Sequence, residues 1–580
     1  MKSKILIAIA LIGCASSHAS EAVPGDAGSL DASLFPDAAP PCANTCSDDL
    51  TGVVDCHGNV VSTCGAGLAC NADLGCSEPC SASESLESSR GCHYAVPPPA
   101  VYSESNGSCF AVLVANAWNE PVSLNVAWGA RTFDTTTIAR VASGGTNVTL
   151  DPFPSNGMLP PGKLAVVFLA DRAATHGNGV IGCPNGVQAA VTDVDSELTE
   201  SAVGQAFTIT SSAPVVAYDM FPYGGAPSYL SSASLLLPTS TWSTQYAAVH
   251  AFQNDDTLPG GASPYLQIVA SADAHVTLWP TSSIAADDAG VQGGAQNQPY
   301  HVTLAAGEFL QLVGQDLTGT PITSDVPIAV VGGNTCMRIP IGVVACDSGH
   351  QQLLPVSSLG SVYVGARYRD RVAGAHEIVP YRILGVAADT ALTYDPPIAE
   401  APATIGAGEL ATFWTSTDFV VRSQDTNHPF YVSAHMTGGA NLAGADGGAS
   451  AAGDPDFVNV VTPAQYQRSY TFLTDPTYAN THLVFVRQRN ASNAFDDVKL
   501  ACAGTLSGWT AVDAADQFEV ARVDLVKDGA GVGACGNGVQ TASSASPFAI
   551  TVWGWDAWVS YAYPAGTFIQ RTNQLDITPN

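Results

Sequence analysis

One phrase recurs four times in this chain, and the recurrence limits what the chain can fold into. It is first met at residues 206–219, where Phe207 and Ile209 on one side and Val215 and Val216 on the other flank Ser211-Ser212-Ala213-Pro214. The pattern reads as two short strands joined by a Ser/Ala/Pro turn. It returns at Pro321 to Val331, at Val420 to Val432 and at Gln540 to Val552. The prolines fall at 214, 327, 429 and 547, at intervals of 113, 102 and 118 residues. Such a period sets a repeat architecture before any single residue is read.

A chain of 580 residues is too long for one core, in keeping with a repeat array. Charged residues make up only 12%, while 55 glycines and 37 prolines punctuate the chain. That composition favours many short strands over long helices. Each copy holds two hairpin-like pairs, such as Leu266 to Ala270 with His275 to Trp279. The fold class expected is therefore all-β, and two geometries fit. The favoured one is a β-propeller of about eight four-stranded units, because the halves of a copy resemble each other and bring the period near blade size. The alternative is a row of four tandem β-sandwiches.

The start reads as a targeting segment. Lys2 and Lys4 precede the apolar run Ile5 to Ile12, which is too short to span a bilayer. Leu11-Ile12-Gly13-Cys14 resembles the lipobox of bacterial lipoproteins, which implies cleavage before Cys14 and acylation of that residue. Cleavage after Ser17-His18-Ala19, with Cys14 discarded, is the competing reading. Residues 1–19 are thus a leader, and 20–41, rich in Ala, Ser, Asp, Gly and Pro, a flexible linker. Residues 42–92 form a disulfide-rich module, and 93–580 the repeated β domain. The setting is the bacterial cell envelope, as an outer-membrane lipoprotein or a secreted protein.

Of 15 cysteines, 14 remain once Cys14 is removed, an even number suited to an oxidising compartment. Seven of them, from Cys42 to Cys80, make a small stapled knot, so at least one bridge leaves the cluster. Zinc is disfavoured because the spacings are irregular and His57 stands alone. Cys92 and Cys109 offer one pairing. Cys336–Cys346 and Cys502–Cys535 each lie within one loop of one repeat. Cys183, with no partner in its own copy, is expected to reach back to the region between Cys42 and Cys109 and tie the knot to the first unit.

The motifs Thr323-Ser324-Asp325-Val326-Pro327-Ile328-Ala329-Val330, Cys336, Cys346 and Gln352-Leu353-Leu354-Pro355-Val356-Ser357-Ser358-Leu359-Gly360 carry a resemblance. The pattern from Cys109 to Tyr563 resembles the IgGFc-binding protein N-terminal domain family, named for a large mucus protein that binds the Fc part of immunoglobulin G. The Cys-rich start and Ala217 to Gly225 look like a bacterial, exported branch. The resemblance implies a binding role. It brings no catalytic residue or ligand contact, and does not imply that a bacterial member binds antibody.

Chemistry-bearing motifs are sparse. His376-Glu377 lacks the second histidine of a zinc protease, because position 380 is proline. Gly531 to Gly536 matches a dinucleotide fingerprint by letter but has no βαβ context. Asp425, His428 and His435 could form an acid/base group with His376, or be turn and capping residues. The pairs Asp255-Asp256, Asp287-Asp288, Asp454/Asp456 and Asp496-Asp497 suit calcium or ordinary turns; no other cofactor or metal is expected. Trp553, Trp555, Tyr561 and Tyr563 read more simply as core than as a sugar platform.

A net charge of −31 repels phosphate backbones and argues against nucleic-acid binding. The function expected is non-enzymatic recognition or adhesion at the cell surface. A protein or glycan would bind through loops such as 253–263, 285–298 and 438–454, with membrane attachment through a lipid anchor. A secreted hydrolase with an unannounced site is the alternative. The lipobox reading predicts that Cys14→Ala moves the protein from the membrane fraction into the medium. A variant that stays membrane-bound, or a wild type freely secreted from Ser20, contradicts it.

Overall fold

The computed structural model describes residues 44–577 and 579, apart from 48, 56–58, 103–104, 144–147, 173–179, 229, 256, 259–262, 287–289, 375 and 443–449. The leader with Cys14, the linker, Cys42, Cys56, His57, Asp256, Asp287 and Asp288 lie outside the described residues. The chain divides into Met1–Pro41 and Cys42–Asn580, and the second unit holds all of the described structure.

The chain is all-β, but the recurring phrase is not a hairpin. In the first repeat it is one strand, Phe207–Phe221. Its first half pairs with Arg90–Val96 and Val122–Trp128, its second half with Phe110–Ala115 and Ser232–Leu235. The second repeat does the same with Pro321–Met337, and the fourth with Gly538–Asp556. In the third the strand is cut in two: Phe419–Ser423 pairs with Val362–Gly365 and Thr390–Asp395, whereas Phe430–Met436 pairs with Val379–Gly385 and Asp456–Asn459.

The polar Ser/Thr/Pro run therefore marks where a strand passes from one sheet to another. Register shifts there, between Thr210 and Val215 in the first repeat. Ser211 Oγ donates to the Ala213 carbonyl at 2.7 Å, and Ser324 Oγ to that of Val326 at 2.5 Å. A side chain thus satisfies a carbonyl that the ladder misses, and the proline lacks an N–H just where none is needed. Each repeat consequently holds two sheets, joined in three of the four by a shared strand. Of the sequence expectation the all-β class stands, built from several large curved sheets.

The repeats are not simply strung in a row. The strand after each long strand enters a common centre: Ser232–Leu235, Asp347–Gln352, Asp456–Asn459 and Val559–Pro564. Each packs beside the next, and the last beside the first, so they close a ring. All are buried along their whole length. Gln351 Nε2 lies within hydrogen-bond reach of the carbonyls of Ala233, Phe457 and Ala562, at 3.0, 3.2 and 3.0 Å. One side chain on the second strand thus engages the other three.

Past Pro564 the chain runs back over earlier repeats. Thr567 O accepts from Ser89 N at 2.8 Å, Ile569 O accepts from Ser358 Oγ at 3.0 Å, and Asn573 Nδ2 donates to the Val356 carbonyl at 2.8 Å.

The amino-terminal module carries Cys46–Cys70, Cys64–Cys76 and Cys80–Cys92. The body carries Cys109–Cys183, Cys336–Cys346 and Cys502–Cys535. The suggested Cys92–Cys109 bridge is corrected, since Cys92 takes Cys80 and Cys109 takes Cys183. Cys183 consequently staples the first repeat to itself rather than tying the knot to it. The module is joined instead through strand Arg90–Val96, which is part of the first repeat's sheet and whose Cys92 is bridged to Cys80.

The ring also buries acids. Asp347 accepts from the amides of Ser231, Ser348 and Ser560 at 2.5, 2.9 and 2.6 Å, linking three repeats. Burial, with Asp454 nearby, pushes its carboxyl well above the usual range, and burial does the same to Asp456. Neither Asp454 oxygen makes a well-formed hydrogen bond. Burial raises this carboxyl to about 7, held in check by the Gly439 amide and the Arg371 guanidinium.

An unfolded aspartate ionises near 3.9, so folded Asp454 holds its proton to higher pH. Its stabilising contribution is complete below about pH 4 and is lost as pH rises through about 7. Asp454→Asn should remove this pH dependence. It is expected to stabilise the protein relative to wild type at pH 8 by on the order of 2–4 kcal/mol, with little difference at pH 4. Urea unfolding of both proteins at the two pH values measures this; an equal difference at both contradicts it.

Candidate functional site

The residues proposed for acid/base chemistry are not assembled. Asp425 and His428 meet within one turn, Oδ1 to Nδ1 at 2.8 Å, where Asp425 also accepts from the Asn427 amide. His435 is fully buried, with Nε2 2.8 Å from the Ala251 carbonyl and the ring stacked on Phe457. Burial, with Arg382 nearby, lowers it to about 3, which keeps it neutral at physiological pH. His376 is exposed on a different loop. Its neighbour Glu377 is no zinc-site base: it is buried against Arg371 at 2.5 Å, with Tyr368 donating to it.

A different Ser–His–Asp relay does exist, between repeats. Ser232 Oγ lies 2.6 Å from His350 Nδ1, and His350 Nε2 lies 2.8 Å from Asp219 Oδ1. The arrangement has the connectivity of a catalytic triad. Ser232 is 1% exposed, however, and the cavity against His350 and Asp219 measures about 10 Å³. No substrate fits, so the relay ties the first two repeats together.

The other sequence candidates are engaged structurally. Asp255 is buried against Arg338, with a contact of 2.5 Å, and Asp496 accepts from Asn490. Among the described residues no three His, Cys, Asp or Glu side chains are grouped to hold a metal ion. Trp553, Trp555, Tyr561 and Tyr563 are all buried. The glycine run at 531–536 belongs to the loop closed by Cys535.

Two described cavities have room for a ligand: one of about 520 Å³ beside Trp279, Pro321 and Gly408, and one between the disulfide module and the fourth repeat that carries charged side chains. The second measures about 510 Å³, within the usual 300–1,000 Å³ of binding clefts. One wall is Asn44 to Ser47 with Leu50 and Leu74; the other is Pro463 to Ser469 with Phe568. Leu74 has positive φ and exposes 39% of its surface. Two guanidiniums cross the cleft. Arg468 Nη1 donates to Thr45 Oγ1 at 2.8 Å, and Arg90 Nη2 to Ser469 Oγ at 3.0 Å. Arg468 Nε is buried without a partner. None of the described lining residues is Asp or Glu, although acids outnumber basic residues 51 to 20 in the chain.

No sequence pattern marks this cleft. Thr45 and Arg468 are 423 residues apart, and only closure of the repeats brings them together.

Comparison with known proteins adds a family. The model of the family described as IgGFc binding protein matches residues 232–554. The match begins at the first ring strand and ends within the last long strand. No curated protein matches the chain. The matched span covers more than half of the chain and includes three of the four ring strands, and the chain belongs to the IgGFc binding protein family.

Proposed function

We propose that the folded head is a non-enzymatic recognition module for an extracellular protein, displayed from the bacterial envelope through acylated Cys14. The observation that carries this reading is the cleft between the disulfide module and the fourth repeat. It is roomy, partly apolar, free of acids among its described residues and crossed by two arginines. The family's description as a binding protein supports it. So do the six disulfides among the described residues, which suit an oxidising compartment. The hydrolase alternative draws on the Ser232–His350–Asp219 relay, whose burial leaves no path for a substrate.

The test presents purified full-length chain to an array of secreted proteins, with immunoglobulin Fc among them, and of glycans. Wild type is expected to retain at least one protein, and the Arg90→Glu/Arg468→Glu variant to lose it while unfolding at the wild-type temperature. Glycan binding alone, or turnover of ester, peptide or glycoside substrates, would overturn the reading.

A further inference from the structure

The sheet of the disulfide module runs in the order Thr45–Cys46, Gly52–Val54, Val60–Thr63, and its last strand stands in solvent. All four residues of Val60–Thr63 are exposed, Val60 at 68% and Val61 at 55%, whereas Gly52 and Val53 on the neighbouring strand are buried. Among the described residues the main chain of 60–63 bonds to Gly52–Val54 alone. Cys64 turns its N–H inward, to the Thr51 carbonyl at 2.7 Å, so strand alternation turns the N–H and C=O of Thr63 outward. Val53 faces Ser62 and Val54 faces Val60, which leaves Val61 as the extra, unpaired residue of a bulge. An open edge is a template for another strand, and proteins usually blunt it with charge, proline, a bulge or cover. Apart from its bulge this edge is unprotected, since 60–63 reads Val-Val-Ser-Thr. Those β-branched residues suit a strand, yet the valines bury neither face here.

The charge around this edge has one sign. No lysine or arginine lies between Lys4 and Arg90, and an acid sits by each end of the strand. Asp55 accepts from the amide and the side chain of Asn59, the residue before Val60, at 2.8 and 3.0 Å. Asp49 accepts from the Thr51 amide at 3.0 Å, and Thr51 is the residue that takes the Cys64 N–H just past Thr63. Arg468, which reaches the module from the fourth repeat, meets the sheet on its opposite edge at Thr45. A second copy offering its own Val60–Thr63 would bring the same acids to this edge, in a chain of net charge −31, and like charges face to face destabilise a strand pair. A segment carrying Lys or Arg meets them with the opposite sign.

We infer that Val60–Thr63 takes an extended basic segment of a partner protein, which adds to the module's sheet as a fourth strand. This surface is separate from the arginine cleft and uses none of its lining residues. Main-chain pairing at Val61 and Thr63 supplies affinity that is indifferent to sequence, and side chains supply selectivity. Apolar or β-branched residues in the middle of the segment cover the exposed valines, and Lys or Arg at its ends meets Asp49 and Asp55. Proline is excluded from the centre, where it would remove an N–H that the pairing needs.

The experiment is selection of a random phage-displayed octapeptide library on the immobilised full-length chain, followed by synthesis of the enriched peptides. They are expected to combine Lys or Arg with Val, Ile or Thr. Val61→Lys sets a like charge on the edge and should weaken them by about tenfold or more, while the exposed position leaves thermal unfolding as in wild type. Peptides N-methylated at the amides that face the edge should lose binding, and those methylated at the alternate amides should keep it. Amide exchange at Val61 and Thr63 should slow when peptide is added. Acidic or neutral winners, binding indifferent to Val61→Lys or to N-methylation, or unchanged exchange at Val61 and Thr63 would each overturn the inference. So would a wild-type dimer in sedimentation that Val61→Lys dissociates, since a second copy would then occupy the edge. If the protein array gives a partner that the arginine variant loses, while no peptide binds the edge, the inference fails and the recognition reading stands. If the array retains nothing and the peptides bind as described, the cleft reading fails and the edge inference stands.

Discussion

A single buried amide, the side chain of Gln351, holds the centre of this protein. Its nitrogen reaches carbonyls on the other three ring strands, at Ala233, Phe457 and Ala562. A buried carbonyl without a donor costs about 1–3 kcal/mol, so the four repeats have reason to stay closed around that side chain. Neighbouring bonds repeat the device on a smaller scale. Gln352 Oε1 accepts from the Leu237 amide at 2.8 Å, and Asn459 Nδ2 donates to the Gln352 carbonyl at 2.9 Å. The rest follows from closure. The last ring strand ends at Pro564, and the tail beyond it bonds to Ser89 and to Ser358.

Closure also arranges the charge. The centre buries Asp347, Asp454 and Asp456 where water cannot screen them, and their carboxyls are driven upward as a result. The chain tolerates these groups because they can be protonated and because Asp347 is held by three amides. At the periphery the pattern inverts. Where the module meets the fourth repeat, the described wall carries arginine and no acid.

Much of the architecture was legible in the sequence, and the reasons for the exceptions are physical. The fourfold phrase marked where the long strands lie, because each copy must bury the same kind of strand. The polar Ser211 to Pro214 run was misread as a turn. Turn residues and strand-crossing residues share a composition, and only tertiary pairing separates Phe207–Phe221 from a hairpin. The Cys92–Cys109 suggestion failed because nearness in sequence does not decide pairing: Cys183 returns to Cys109 across 74 residues. The cleft was invisible for a stronger reason. Arg90, Arg468 and Thr45 carry no local pattern, and their meeting exists only in the folded state.

The four ring strands close the chain into one structure. Native-state amide exchange tests it most directly, with the opening free energy read at Ser232–Leu235, Asp347–Gln352, Asp456–Asn459 and Val559–Pro564 in wild type and in Gln351→Ala. A closed ring predicts one shared opening free energy for all four strands, lowered together by the substitution. Four different values, with only Asp347–Gln352 affected by Gln351→Ala, would show independent domains in a row and contradict the account.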